Sequence, residues 1–335
     1  MSWLWRLLVI SAAAFVGTLL VALGLVASDR PIADPRAPAG EGLDFAAMTG
    51  RDQAGPPHPV GSYATRDGGE LALRRYPTSR RDRPLVVMLH GSGWYGLEFD
   101  PLARRLAAAG LADVVVPDLR GHGPFTKTRG DVAYVGQMED DIADLIAAER
   151  RPGQKVVLLG HSSGGGLAIR FAGGEYRDEI DGEILLAPYL KYDAPTARPN
   201  SGGWTRVLTR RIIGLSILDG FGIHALDGLT VVQLRFPAAV LDGPLGANAT
   251  RNYSWRLQQT YAPRPDYLAD VARLPRFLLL AGTEDEAFVA GAYQPTMSAV
   301  TDKGSYKLIP GVGHLGIVDD PRSFDAIKAF LENGL

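Results

Sequence analysis

The segment from Lys155 to Ala172, KVVLLGHSSGGGLAIRFA, limits the possible folds of this chain more than any other stretch. An apolar run rich in β-branched residues stops at Gly160, and an alanine-rich apolar pattern follows the glycines directly. The first part is typical of a buried strand, and the second is typical of a helix. Because only a few residues join them, we expect a tight corner that carries the hydroxyl of Ser162 at its tip.

The corner has the pattern G-x-S-x-G, which between a strand and a helix is typical of a nucleophile elbow. The serine of an elbow takes a strained backbone conformation, so the residues two positions before and after it must be small. The following helix then directs its N-terminal amides and the positive end of its dipole at a developing oxyanion. We therefore predict that Ser162 is a nucleophile. The alternative is a glycine-rich turn that only allows close packing.

A serine nucleophile needs a base and an acid that orients the base. The chain has 6 histidines, and His314 is the best candidate because it follows the last apolar strand in the glycine-rich loop IPGVGHLG. His90 and His161 lie within motif turns, where we expect them to stabilise the turns. For the acid, the run Glu284-Asp285-Glu286 ends another apolar strand.

Within that acidic run, Asp285 fits the role of orienting acid best. It lies three residues beyond Gly282, just past the end of the strand, whereas Glu284 and Glu286 are expected to be solvated neighbours. The resulting chain order of nucleophile, acid and base is the order expected when a G-x-S-x-G elbow lies in an α/β sheet.

The rest of the chain alternates apolar strands with helical patterns. Near-continuous apolar runs predict strands that are buried on both faces, as in a parallel sheet covered by helices. Asp67-Gly68-Gly69 predicts a hairpin before the first of these strands. Residues 191–274 interrupt the alternation, and an interval of that length predicts an inserted cap. The predicted strands are PLVVMLHG, ADVVVPDLRG, KVVLLG, GEILLAPY, RFLLLAGTED and SYKLIPGVGH.

The N-terminus differs from the rest because it holds 21 uncharged residues from Leu7 to Ala27. A helix of that length would measure roughly 32 Å, close to the thickness of a bilayer core. We expect residues 1–28 to be an uncleaved membrane anchor that leaves the catalytic domain on the non-cytoplasmic side. Cleavage near Ala27, which would release a secreted or periplasmic protein, is the alternative. Residues 29–59, rich in Pro, Ala and Gly, are predicted to be a linker.

Composition excludes several function classes. A net charge of −2 gives no reason to expect binding of nucleic acid, which would require a basic stripe. The absence of cysteine excludes thiolate catalysis, disulfides and cysteine-ligated metal. Neither a metal nor an organic cofactor is implied by any motif, so we expect the chain to need none.

Five motifs carry a resemblance to a known family. From about Val60 to the C-terminus the chain resembles the α/β-hydrolases, and among them the serine-aminopeptidase-like group that includes monoacylglycerol lipases and lysophospholipases. The resemblance implies a mostly parallel eight-stranded sheet with helices on both faces and an inserted cap within residues 60–335. The motifs, in chain order, are LHGSGW at 89–94, PDLRGHG at 117–123, GHSSGG at 160–165, AGTEDE at 281–286 and GVGHLG at 311–316.

The resemblance also implies how the site is completed. The backbone N–H groups of Ser92 and Ser163 would form the oxyanion hole. Apart from the resemblance, the position of Trp94 beside that turn predicts that it lines an acyl pocket together with an apolar face of the cap. The turn containing Asp118 and His122 would be structural. The implied reaction is hydrolysis of a carboxylic ester of a small molecule or lipid through the triad of Ser162, Asp285 and His314.

Two other functions remain open from the sequence. A thioesterase or a serine peptidase would use the same triad. A membrane-tethered binding protein could keep the fold and lose the chemistry, although inactive relatives usually lose the nucleophile or the base.

Overall fold

The computed structural model describes residues 2–37, 42–45 and 58–333. Its centre is an eight-stranded sheet with the strand order β1-β2-β4-β3-β5-β6-β10-β11. The strands of this sheet are β1 (Val60–Ala64), β2 (Glu70–Tyr76), β3 (Leu85–Leu89), β4 (Asp113–Pro117), β5 (Val156–His161), β6 (Gly182–Leu186), β10 (Arg276–Gly282) and β11 (Gly304–Ile309). β1 and β2 are antiparallel to their neighbours, and the other six strands are parallel. The expected mostly parallel sheet is confirmed.

Helices cover both faces of the sheet. They are α2 (Asp100–Ala108), α3 (Gln137–Glu149), α4 (Ser163–Gly173), α9 (Tyr293–Met297) and α10 (Pro321–Asn333). Leu102 and Leu106 of α2 join Ile327 and Phe330 of α10 in one hydrophobic core. α3 and α4 contribute to the core on the opposite face. Burial on both sides explains why β3, β5 and β6 are almost continuously apolar.

Residues 191–274 leave the sheet after β6 and return at β10. They hold a three-stranded antiparallel sheet and four helices. The elements are β7 (Thr205–Val207), α5 (Thr209–Gly220), β8 (Thr230–Leu234), α6 (Ala238–Leu241), β9 (Asn252–Ser254), α7 (Trp255–Tyr261) and α8 (Tyr267–Arg273). We call this segment the cap.

A single helix, α1 (Trp3–Ser28), occupies the apolar N-terminus. It has 26 residues, and by length and composition it is the one helix among the described residues that could cross a membrane. Its C-terminal half packs on α5 of the cap, where Ala22 and Val26 are buried. Part of the predicted linker, residues 38–41 and 46–57, lies outside the described residues.

Candidate active site

The corner between β5 and α4 is a strained turn with Ser162 at its tip. Ser162 has φ 54° and ψ −120°, a backbone conformation that residues with a side chain rarely take. The Ser162 amide donates to the carbonyl of Leu186 at 2.9 Å, which anchors the turn to β6. A Cβ atom on Gly160 would collide with the Gly164 carbonyl, and one on Gly164 would collide with the end of β3. The small neighbours expected of an elbow are therefore required by packing.

Three predicted residues meet at the carboxyl edge of the sheet. His314, in the loop after β11, places Nε2 2.9 Å from the Ser162 Oγ. Its Nδ1 lies 2.9 Å from Oδ2 of Asp285, which follows β10. The other oxygen of Asp285 accepts hydrogen bonds from the amides of Ala287 and Phe288 at 2.8 and 2.7 Å. The order of these contacts is that of a nucleophile, a base and an orienting acid.

Charge in this cluster follows from its burial and its pairing. Burial alone would lower the pKa of His314, but the charge and hydrogen bond of Asp285 raise that pKa above its ordinary value. Burial alone would raise the pKa of Asp285, but His314 and the two backbone amides hold it below its ordinary value. Asp285 therefore stays ionised and favours an imidazolium on its partner.

In the loop after β3, two of three successive backbone amides have hydrogen-bond acceptors. Gly91 N–H donates to Glu98 at 2.8 Å, and Gly93 N–H donates to the Tyr253 hydroxyl at 2.6 Å. Among the described residues, none accepts a hydrogen bond from the Ser92 amide between them. Ser163 opens α4, where first-turn amides have no acceptor within the helix. These two N–H groups are the pair that the resemblance implied for an oxyanion hole.

A second histidine and carboxylate lie behind the first pair, and the sequence analysis missed the carboxylate. His161 Nδ1 contacts Glu98 Oε1, and His161 Nε2 lies 3.0 Å from the carbonyl of His314. Both ring nitrogens of His161 thus lie beside oxygen atoms of the protein. Burial would raise the pKa of Glu98, but His161 and the Gly91 amide hold it below its ordinary value. The only sequence feature that could have indicated Glu98 is its position directly after the motif segment LHGSGWYGL.

Glu286 corrects one expectation. It was expected to be solvated, yet it is half-buried, and its Oε2 accepts a hydrogen bond from the His314 amide at 2.7 Å. Its Oε1 accepts from the amide of Asp44 at 3.2 Å. Glu284 is exposed, as expected. The acidic run therefore supplies two residues to the loop of His314, because its strand ends beside that loop.

The turn containing Asp118 and His122 takes the structural role that was expected. Asp118 forms a buried ion pair with Arg74 at 2.7 Å. Burial holds the pKa of His122 well below its ordinary value, and its Nε2 lies 2.6 Å from the Tyr253 hydroxyl. The same hydroxyl accepts from Gly93, so this turn braces the loop that carries Ser92.

Comparison with known proteins identifies the family. Residues 86–327 match the family model described as "Alpha/beta hydrolase family". The chain belongs to the alpha/beta hydrolases. The human monoglyceride lipase is 26% identical over 254 residues, which cover 74% of this hydrolase and 81% of that relative. The resemblance to the monoacylglycerol lipase group is thereby confirmed.

Solved structures show the same fold. A monoacylglycerol lipase from Paleococcus ferrophilus aligns with a TM-score of 0.60 and 22% identity over 78% of the hydrolase and 98% of its own chain. A soluble variant of a monoglyceride lipase from Saccharomyces cerevisiae, in complex with a substrate analog, aligns with a TM-score of 0.63 and 17% identity. That alignment covers 88% of the hydrolase and 98% of the yeast chain.

The space in front of Ser162 is small and aromatic. Ser162 and His314 share a cavity of about 20 Å³ whose walls include Trp94 and Trp204. The indole N–H of Trp204 donates to the Ser92 hydroxyl at 3.0 Å, which joins the cap to the oxyanion loop. Trp94, the expected acyl contact, is buried and faces this space. Phe45, from the predicted linker, lines it as well, which the sequence did not indicate.

Larger concavities of the hydrolase lie away from the triad. One of about 380 Å³ is bounded by charged and tyrosine side chains, among them Glu139, Tyr176 and Arg264, and another of about 280 Å³ lies around Arg120. Neither is lined by Ser162, Asp285 or His314. The candidate site is therefore distinguished by its hydrogen-bonded triad and not by the volume of its cavity.

One group of side chains could offer ligand atoms to a metal ion. Asp219, His224 and Asp227, at the end of α5 and in the loop after it, bring one atom each within 4.8 Å of the others. His224 Nδ1 lies 3.1 Å from an oxygen of each aspartate, so the three side chains already contact one another. None of them lines the cavity of the triad.

Proposed function

We propose that this hydrolase cleaves carboxylic esters through an acyl-enzyme on Ser162. The observation that carries the proposal is the continuous chain of hydrogen bonds from Ser162 through His314 to Asp285, with both distances at 2.9 Å. The strained conformation of Ser162 supports it, because such strain persists where the surrounding structure imposes it and clusters at active sites.

The reaction takes two similar halves. Ser162 Oγ attacks the acyl carbon while its proton passes to His314 Nε2, and the carbonyl electrons move to the oxygen that faces the amides of Ser92 and Ser163. The tetrahedral intermediate collapses and expels the alkoxide. His314 protonates the alkoxide, which leaves as the alcohol. Water then attacks the acyl-enzyme in the same way, which releases the carboxylic acid and restores Ser162.

Covalent labelling tests this assignment. Ser162→Ala should abolish labelling by a fluorophosphonate and lower ester hydrolysis on the order of 10⁶-fold, as loss of a triad nucleophile does. Ser163→Ala is the matched control, because it removes the neighbouring hydroxyl and keeps the backbone amide. Labelling of the Ser162→Ala protein at the rate of the wild type would overturn the proposal. A protein that is not labelled in either form would instead favour a binding protein that has lost the chemistry.

The proposed substrates are esters of apolar acyl groups, of the monoacylglycerol or lysophospholipid type. Trp94 and Trp204 give the site an aromatic wall, and the relatives include proteins named as monoglyceride lipases. Each methylene that enters an apolar pocket contributes about 0.8 kcal/mol. kcat/KM should therefore rise steeply from acetate to medium-chain nitrophenyl esters. A flat profile, or a preference for thioesters or aminoacyl amides, would favour the thioesterase or peptidase alternatives.

We also propose that α1 holds the hydrolase at a membrane with the catalytic domain on the non-cytoplasmic side. The support is the length and apolar composition of α1 and the placement of Arg6 near its start. Carbonate extraction should leave the full-length protein in the membrane fraction, and protease added from the non-cytoplasmic side should reach the domain. A mature chain that begins near Ser28 would overturn this proposal in favour of cleavage.

A further inference from the structure

Two side chains of the predicted linker fill the space beside the triad. Leu43 and Phe45 are only 7% and 6% exposed, although the segment around them has the composition of a linker. The ring of Phe45 lies 5.5 Å from that of Trp204 and 5.4 Å from that of Phe236, measured between centroids. Trp94 completes the contact, with its ring centroid 6.4 Å away. We call Trp94, Trp204 and Phe236 the aromatic chamber.

The occupied chamber leaves no room for a substrate. The remaining cavity of about 20 Å³ holds little more than one water molecule, which needs about 10–15 Å³. An acyl chain of even a few carbons is several times larger. Either the linker segment or the walls of the chamber must move before an ester can reach Ser162.

The linker segment contacts the site through its backbone as well as its side chains. Asp44 donates its amide to Glu286, the residue that also accepts from the amide of His314. The walls, in contrast, belong to the folded domain and the cap: Trp204 is hydrogen-bonded to Ser92, and Gly93 has a positive φ beneath Phe236, where no Cβ atom would fit. Displacement of residues 43–45 thus opens the site without disturbing the fold.

We infer that the aromatic chamber is the acyl-binding pocket and that Leu43 and Phe45 are its intramolecular occupant, which an apolar acyl chain displaces. The inference rests on the proposed function, since it assumes acyl transfer at Ser162. The exchange is chemically matched because one apolar group replaces another among the same three aromatic rings. The apparent affinity for substrate is then the intrinsic affinity multiplied by the fraction of molecules in which the chamber is open.

The path of the chain gives the occupant a fixed upstream end. Ile32 exchanges two hydrogen bonds with the side chain of Gln233 on β8, at 2.9 Å each, and the Ala37 amide donates to the Phe236 carbonyl at 3.1 Å. Residues 32–37 therefore stay beside the cap when residues 43–45 leave the chamber. The occupant can return to the same place after each displacement.

Labelling rates with two fluorophosphonates of different size test the inference. Phe45→Ala should accelerate labelling by a long-chain alkyl fluorophosphonate on the order of tenfold to a hundredfold, because the buried ring no longer competes for the chamber. A methyl fluorophosphonate, which needs little of the chamber, should be accelerated much less. Ile32→Ala is the matched control, since it truncates an exposed apolar side chain of the same segment and keeps the backbone hydrogen bonds to Gln233.

The two failures can be told apart. Absence of labelling in both the wild type and Phe45→Ala, with no difference from Ser162→Ala, would refute the proposed function. Normal wild-type labelling with unchanged rates in Phe45→Ala would refute the occupant and leave the function intact. Slower labelling of Phe45→Ala by the long probe alone would also refute it, because Phe45 would then be a wall of the pocket.

A reversible crosslink provides a second measurement that does not depend on loss of a side chain. The chain has no cysteine, so Phe45→Cys with Phe236→Cys introduces the only two thiols. Bridging them with a bis-methanethiosulfonate should block labelling by the long probe, and reduction of the same sample should restore it. Each single-cysteine protein, treated alike, controls for the modification itself. Full labelling of the bridged protein would overturn the inference.

Discussion

At the scale of single residues, the ionisation of His314 should determine how activity depends on pH. Nε2 must be unprotonated to take the proton of Ser162, so kcat/KM falls as the pH falls through the pKa of His314. Asp285 raises that pKa above its ordinary value, whereas burial acts in the opposite direction. The pH at which the acid limb of the profile lies therefore depends on the charge of the Asp285 carboxylate.

Replacing that carboxylate should move the acid limb. In Asp285→Asn the raising effect is lost and burial remains, so the apparent pKa of His314 should fall and the limb should move to lower pH. The rate on the plateau should also drop on the order of 10⁴-fold, as in other triads that lose the acid. Fluorophosphonate labelling rates across pH measure both effects. Glu284→Gln, at the exposed neighbour, is the control and should change neither. A limb that stays in place would contradict the assignment of Asp285.

Glu98 should act on the reaction by positioning other groups. Glu98→Gln removes the charge that holds His161 and the Gly91 amide, so the oxyanion loop and the His314 backbone lose a shared support. Small displacements of reacting groups cost on the order of a hundredfold in rate. We expect kcat to fall by about that factor with KM nearly unchanged. A loss confined to thermal stability, with kcat intact, would reduce Glu98 to a structural residue.

The residues whose proximity could be predicted from the sequence are those whose position depends on local chain geometry. Ser162, Asp285 and His314 each follow a strand, and parallel strands bring their carboxyl ends to one edge. Glu98 and Phe45 could not be found in that way, because their partners are distant in the chain and come together only through tertiary packing. Glu286 was misjudged for the same reason, since its partners lie on the loop after the next strand.

At the scale of elements, β6 carries a carboxylic acid in the middle of the sheet. Glu183 is fully buried between Leu158 of β5 and Phe277 of β10, and neither of its oxygens has a hydrogen-bond partner among the described residues. Burial raises its pKa to about 8. The pattern GEILL predicted the strand but not the free-energy cost of burying the Glu183 carboxyl. That cost depends on which strands lie on either side of β6, and the order of strands is set by the topology of the sheet.

Glu183 should make the protein less stable as the pH rises. Its ordinary pKa is 4.5, so the unfolded chain releases the proton above that value while the folded chain keeps it up to about 8. The contribution of Glu183 to the free energy of unfolding is therefore highest below pH 4.5. It falls progressively up to about pH 8, by at most about 5 kcal/mol. Glu183→Gln should remove this slope in urea unfolding measured from pH 5 to 8. Glu332→Gln, at an exposed site, should keep it, and an unchanged slope in Glu183→Gln would refute the explanation.

At the scale of the whole molecule, α1 is joined to the cap. The backbone carbonyl of Val26 accepts from the guanidinium of Arg211 at 3.2 Å, and that of Ser28 accepts from Arg210 at 3.0 Å. Gly214 lies so close to Ala22 that a Cβ atom would contact the α1 backbone. Phe15 meets Phe221 edge to face at 5.0 Å, so α1 and α5 run antiparallel along the C-terminal half of α1. The sequence predicted an anchor that is separate from the domain, because apolar composition does not reveal that one side of the helix contacts protein.

This contact predicts that the mature protein keeps α1. A chain of residues 29–335 would expose the face of α5 that covers Ala22 and Val26 and would leave Arg211 without its carbonyl partner. We expect its thermal midpoint in detergent to fall on the order of 5 °C, since a loss of 1–2 kcal/mol shifts a domain of this size by a few degrees per kcal/mol. Deletion of residues 2–11, which are exposed and precede the contact, is the matched control and should leave the midpoint unchanged. Gly214→Leu should reproduce the effect of the longer truncation, because it separates the two helices without shortening the chain. Equal midpoints for the full-length and 29–335 proteins would mean that α1 is not part of the fold, and would favour removal of the segment near Ala27.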